Sequence, residues 1–198
     1  GTGSYSRAWQ AADELRFVEI PMVAVLGNHD YELNDQARIV AELQNVGVRV
    51  LDGDSVTLTI GDRRVGFAGV KGFCGGFGDR LIAPFGEEAL KAFVRVGQDE
   101  TSKLDAGLRQ LRNGHDVDNV VAIVHYAPVR DTVVGEPPEL FPYLGNSSLS
   151  DPIDRHETDV VFHGHAHYGT PFGRTPSGVP VYNVARPLVR DLVVHVVR

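Results

Sequence analysis

The chain has 198 residues, 42% of them apolar, and a formal net charge of −7 from 19 Lys and Arg against 26 Asp and Glu. That length and apolar content fit one globular domain with a sizeable core and exclude a disordered chain. The acidic balance speaks against a non-specific nucleic-acid binder, and no apolar run reaches the ~18 residues of a membrane span.

Residues 1–7 lack an initiator Met and an apolar signal segment, and they read as a cut or processed end. Tyr5, Ala8, Trp9, Ala12, Leu15 and Val18 recur at helical spacing, which predicts an amphipathic helix over 4–19. Pro21 starts a short strand over 22–26 that runs into Gly27-Asn28-His29-Asp30. Asn34 or Asp35 caps a second helix to residue 46, with Ile39, Val40 and Leu43 inward and Gly47 as its stop. Next come a strand over 48–51, a turn at Asp52-Gly53, and a hairpin of 56–60 with 65–70 joined at Gly61-Asp62.

Residues 71–86 are rich in glycine and hold the single cysteine, Cys74. One cysteine allows no intrachain disulfide, which fits a reducing, cytoplasmic compartment. A long helix over 87–112 buries Leu90, Phe93, Val94, Thr101, Leu104, Leu108 and Leu111, and Asn113-Gly114 ends it. Gly97 and Gly107 weaken that helix, each by roughly 1 kcal/mol relative to Ala. A strand over 119–125 leads to a long Pro-containing loop, 127–146, of a length that marks functional or mobile segments. A short helix over 148–156, a strand over 159–163, and two further strands over 179–184 and 188–197 complete a single α/β domain spanning 1–198.

Three short motifs each follow a β-branched run. Gly27-Asn28-His29-Asp30 follows Val23 to Leu26, His125 follows Val120 to Val124, and His163-Gly164-His165-Ala166-His167 follows Val160 to Phe162. α/β sheets place their active sites at the carboxyl ends of strands, and imidazoles with a carboxamide there suit a borderline transition metal. Alternate residues of an extended strand point the same way, so His165 and His167 can reach one metal or two adjacent ones. Singly, each motif has an ordinary reading: surface histidines on a turn, Asn and Asp as turn formers, His125 as a satisfied core histidine. Together, at three strand ends with Gly27 and Gly164 allowing sharp turns, they point to a metal site.

In order and spacing the motifs resemble the calcineurin-like metallophosphoesterase family. That pattern runs Asp-x-His, Gly-Asp, Gly-Asn-His-(Asp/Glu), His, and Gly-His-x-His. The last three blocks stand here as Gly27 to Asp30, His125, and Gly164 to His167. The resemblance implies a two-layer β-sandwich flanked by helices. It also implies a site for two divalent transition metals (Mn, Fe or Zn) at which a metal-bound hydroxide hydrolyses a phosphate ester. Carried onto this chain, it implies that Asn28, His125 and His165 bind one metal and His167 the other. His29 would be the general acid at the leaving oxygen, and Asp30 would orient its ring by accepting a hydrogen bond. Phosphate esters are anionic and slow to react, so positive charge and a positioned acid serve them better than a protein nucleophile.

The family's first two blocks are absent from the residues before Gly27, and Asp13 lies inside the first helix. The pattern places those blocks upstream of residue 1, so the N-terminal strands of the fold are expected to be missing here. The ligands left are one carboxamide and three imidazoles, all neutral. The expectation is that this chain binds at most one metal tightly and is impaired alone. An otherwise unpaired sheet edge is then expected to need a cover, for which a second copy (a homo-oligomer) or strand exchange is one candidate. The runner-up reading is a non-catalytic interaction module that keeps the fold with a degraded site.

Among the other candidates, His163 reads as packing or hydrogen-bonding beneath the site. His115, His156 and His195 read as structural or surface residues, and Cys74 as a bystander. The loop 72–80 either borders a phosphate through its N–H groups or is an ordinary glycine turn. Tyr126 reads as aromatic filler, and 136–143 as a gate or a contact segment.

Overall fold

The computed structural model describes residues 12–114 and 117–197. Most of the helix expected over 4–19, and His115, lie outside them. The described part of that helix ends at Leu15, short of the expected residue 19. In chain order the strands are β1 (Met22–Ala24), β2 (Val48–Val50), β3 (Ser55–Ile60), β4 (Arg63–Val70), β5 (Asn119–Val124), β6 (Val160–His163), β7 (Phe172–Arg174) and β8 (Pro180–Asn183). The principal helices are α1 (Gln36–Asn45), α2 (Glu88–Gly114) and α3 (Ser150–Arg155).

A six-stranded sheet in the order β3-β4-β5-β6-β8-β7 forms the centre. β4, β5, β6 and β8 run parallel, while β3 and β7 close the two edges antiparallel. The parallel register sets Val70 level with Val124, Val124 with His163, and His163 with Asn183. Four strands therefore end along one line, which becomes the rim of the site. β5 is Asn-Val-Val-Ala-Ile-Val and is buried on both faces, as a strand between parallel neighbours must be. β1 and β2 make a separate parallel pair joined through α1, and Val25, just past β1, closes on Gly69 of β4.

The helix α2 lies on one face of the large sheet. Its Leu104, Leu108 and Leu111 recur at helical spacing, are fully buried, and meet Ala68, Val70, Val120, Ala122 and Val124, with Leu149 and Ile153 alongside. Burying a side chain of that size contributes about 1.5–3 kcal/mol. Gly107 lies between them for a packing reason. A Cβ there would come within 3.0 Å of the Gly53 and Asp54 carbonyl oxygens, so the turn before β3 crosses the helix at its glycine.

Three stretches differ from the sequence expectation. The strand expected over 188–197 is instead a helical turn, Arg186–Val189, followed by a segment with no ladder among the described residues. Its side chains still alternate: His195 and Val197 lean on Phe162 and Tyr182, while Leu192, Val194 and Val196 stand out to solvent. A period-two pattern specifies extended backbone and a buried face, but a strand also needs a partner. β7 escaped notice because Phe-Gly-Arg is three residues long with glycine at its centre, too short to show alternation. The long loop 127–146 is packed, with helical turns at Arg130–Val133, Pro138–Leu140 and Phe141–Leu144, and Thr132 and Val133 are fully buried. Among the described residues no helix is long and apolar enough to cross a membrane.

Candidate metal centre

Three of the motif side chains meet where the strands end. Asn28 opens a 3-10 turn (Asn28–Tyr31) shortly after β1, and His125 follows β5 directly, its N–H donating to Lys71 O at 3.0 Å. His125 Nε2 lies 2.7 Å from Asn28 Oδ1 and 3.2 Å from His165 Nδ1. Tyr126 packs its ring 4.5 Å from that of His165, and Lys71 Nζ sits 5.4 Å from the Tyr126 ring. Tyr126 is thus mostly buried filler under the imidazoles, and burial pushes its phenol up to about 12.

His165 adopts φ +69°, a left-handed conformation uncommon outside glycine. Such backbone costs about 1–3 kcal/mol and persists where the surroundings over-determine it, often at functional sites. The strain turns Nδ1 toward His125 while Nε2 lies 3.2 Å from Tyr143 O. Burial holds the His125 imidazole down to about 3, with the neighbouring His165, His163, Lys71 and His29 acting in the same direction. Burial likewise lowers His165. Both rings are therefore neutral at ordinary pH, the form in which a ring nitrogen offers its lone pair to a metal.

The donor set fits one divalent cation. Donors bound at about 2.0–2.2 Å around a metal lie roughly 2.8–3.6 Å from one another, and the three atoms, here hydrogen-bonded at 2.7 and 3.2 Å, need little movement to surround one. One oxygen and two imidazole nitrogens are a borderline set. Among the described residues no three His, Cys, Asp or Glu side chains gather as a metal-binding group. The convergent set has two histidines and is completed by a carboxamide.

The structure places the remaining motif residues otherwise. His167 is exposed at the rim and, among the described residues, forms no hydrogen bond to that trio. His29 is exposed, and its Nδ1 pairs with the Glu32 carboxylate. The expected Asp30–His29 pair does not form. Gly27 N–H donates to Asp30 Oδ2 at 2.7 Å, so Asp30 closes the turn on its own backbone. The 3-10 geometry explains this: positions three apart are eclipsed, which matches His29 to Glu32 and Gly27 to Asp30. That spacing was present in the sequence and is the signal that would have found Glu32.

His163 is buried beneath the site, its Nδ1–H donating to Gly164 O at 2.8 Å and its Nε2 lying 2.8 Å from Thr132 Oγ1. The glycine-loop amides do not face the site. Gly72 N–H goes to Glu100, Gly75 N–H to Pro142 O, Gly76 N–H to Gly145 O and Gly78 N–H to Ser147 Oγ. Of the 136–143 segment, Glu136 is buried and accepts from Tyr168 N–H at 2.8 Å, on the His-x-His turn. Glu136, Thr132 and Asn183 carry no motif and could not be found by spacing.

A family model, calcineurin-like phosphoesterase, matches residues 2–169. One crystal structure superposes with a TM-score of 0.56 at 16% identity, covering 91% of this chain and 63% of that one. Another, named "Putative 5'-Nucleotidase from Staphylococcus aureus in complex with alpha-ketoglutarate", superposes with a TM-score of 0.53 at 16% identity, covering 91% of this chain and 35% of that one. At that identity the likeness concerns the fold alone. The present chain spans under two thirds of the length of either structure. No curated protein sequence matches the chain.

Proposed function

The chain belongs to the calcineurin-like phosphoesterase family, and on that premise we propose that its strand-end cluster is the metal-holding and proton-donating part of a phosphoester hydrolase. The family as a whole points to metal-dependent phosphoester hydrolysis. The observation that carries the reading is the convergence of Asn28 Oδ1, His125 Nε2 and His165 Nδ1.

Asn28, His125 and His165 would hold one divalent metal, with Mn, Fe and Zn all suited to that donor set. His167 would serve a second metal at the rim. Such a metal supplies positive charge to the phosphoryl oxygens and acidifies water. The remaining work falls to the chain. His29, exposed beside Asn28, gives its Nε2 proton to the leaving ester oxygen as the P–O bond breaks. Glu32 accepts from His29 Nδ1–H, which fixes the ring and leaves Nε2 facing substrate. Asp30 acts on the turn rather than on the ring.

The substrate is a phosphate ester. The nucleotidase name of one structural neighbour makes nucleoside monophosphates a reasonable member of any test panel. Chromogenic mono- and diesters, with nucleoside monophosphates, should be assayed against Mn, Zn and Fe for the wild type and His29→Ala. Metal-dependent turnover that falls in His29→Ala supports the reading. A second reading, a non-catalytic interaction module, draws on the neutral donor set, one carboxamide and two imidazoles with no carboxylate among them. Metal binding without turnover of any ester would favour that module.

A further inference from the structure

The His165–Ala166–His167 turn is held from below by groups that belong to none of the sequence motifs. Asn183 ends β8, level with His163, and is completely buried. Its Nδ2 donates to Ala166 O at 2.8 Å and to Thr132 O at 3.3 Å, and its Oδ1 accepts from Ala185 N–H at 3.1 Å. Ala166 is the residue between the two histidines. Thr132 is also completely buried; its carbonyl accepts from Thr170 N–H at 3.1 Å and its hydroxyl oxygen lies 2.8 Å from His163 Nε2.

We propose that Asn183, with Thr132 beneath it, is the positioning residue of the His165–His167 turn. The proposal rests on the ligand reading above. The large majority of buried polar side chains are hydrogen-bonded, and both ends of the Asn183 carboxamide are used. The two Nδ2 bonds tie the middle of the turn to a strand end and to the packed 129–133 segment at once. A left-handed His165 stays in that conformation because the carbonyl that follows it is fixed. The hydrogen bonds of Asn183 go to backbone groups, so it acts through the backbone and is not a catalytic residue.

The chemistry makes Asn183→Asp the sharp variant. Aspartate has the same shape, but it presents an oxygen where two carbonyl oxygens need a donor. Thr132→Val removes the hydroxyl and keeps the carbonyl, and Thr132→Ser restores the hydroxyl. Two readouts are needed, amide hydrogen exchange by peptide and affinity for cobalt(II) alone. Asn183→Asp should speed exchange over 164–170 while the peptides of β5 and β6 keep wild-type rates, and should lower cobalt affinity roughly 10–100-fold. Thr132→Val should show a smaller change in the same direction, and Thr132→Ser should return both readouts to near wild type. Unchanged exchange over 164–170 in folded Asn183→Asp would overturn the proposal, as would exchange raised evenly along the chain. If Asn183→Asp does not fold, Asn183→Ala, which removes the donor without adding an oxygen, decides, and unchanged exchange over 164–170 in it would overturn the proposal. A wild type that binds no cobalt would overturn the ligand reading instead, and the exchange comparison would still judge the clamp.

Discussion

Asn28 Oδ1 and His125 Nε2 lie 2.7 Å apart although 97 residues separate them in the chain. The contact joins the turn after β1, in the small sheet, to the end of β5, in the large one. It divides the motif residues into those that converge, Asn28, His125 and His165, and those that stand exposed, His29 and His167.

That division separates binding from turnover. His125→Ala should weaken metal binding and hydrolysis together. His29→Ala should lower turnover by roughly 10²–10⁴ and leave metal content nearly unchanged. Metal analysis beside steady-state kinetics checks both. Loss of metal from His29→Ala would show that His29 is a ligand after all.

Metal stoichiometry follows from the donors. Among the described residues, three neutral groups come together, and His167 stands exposed beside them. Titration with Mn or Zn should find at most one tight site per chain, and chelation should remove any hydrolysis that accompanies it. Two tight metals per chain would contradict this.

Gly27 guards the His125 ring. Its own backbone is extended, at φ −101°, so any residue could adopt it. A Cβ, however, would lie 2.8 Å from His125 Cε1 and 3.0 Å from Nδ1. Gly27→Ala should therefore cost about 1–3 kcal/mol of stability through overpacking and weaken metal binding, because the ring must move. Denaturant melts and a metal titration of this variant provide the check.

The two acids of the 3-10 turn should behave differently. Glu32→Ala removes the partner of His29 and should lower turnover with little effect on stability. Asp30→Ala removes the acceptor for Gly27 N–H and should weaken the turn, and metal binding with it. Reversed results would return the orienting role to Asp30.

Acid should destabilise the metal-free protein. Burial holds His163 at about 4 and His125 at about 3, whereas the unfolded chain takes up those protons near 6.5. The unfolded state then binds more protons between those values, so stability falls as pH drops from about 6.5 toward 4 and below. The loss is on the order of 3 kcal/mol for His163 alone. Denaturant unfolding at pH 7.5 and 4.5 measures it, and equal stability at the two would mean that the imidazoles are not buried as neutral groups.

Much of this architecture could be read in advance from particular residues. Val120 to Val124 announced a doubly buried strand, Leu104, Leu108 and Leu111 announced a helix face, and Gly61-Asp62 marked the hairpin. The misreadings share one cause. Residues 188–197 alternate correctly yet have no ladder among the described residues, and Asp30 stands next to His29 but bonds Gly27. A local pattern states what a residue can do, and the partner is chosen elsewhere. Thr132, Glu136 and Asn183 show the same limit from the other side, because nothing in their neighbours along the chain marks a buried polar residue that holds a distant turn.

The sequence by itself determined the family, the strand-end placement of Asn28, His125 and His165, and the neutral character of the donors. These depend on residue type, glycine placement and short-range periodicity, all of which are local. Only the tertiary structure decided which donors converge, that Glu32 rather than Asp30 faces His29, and that Asn183 and Thr132 hold the turn. Those outcomes depend on the register of parallel strands and on the packing of a loop across them. Register is settled by the burial of whole faces, not by any one motif.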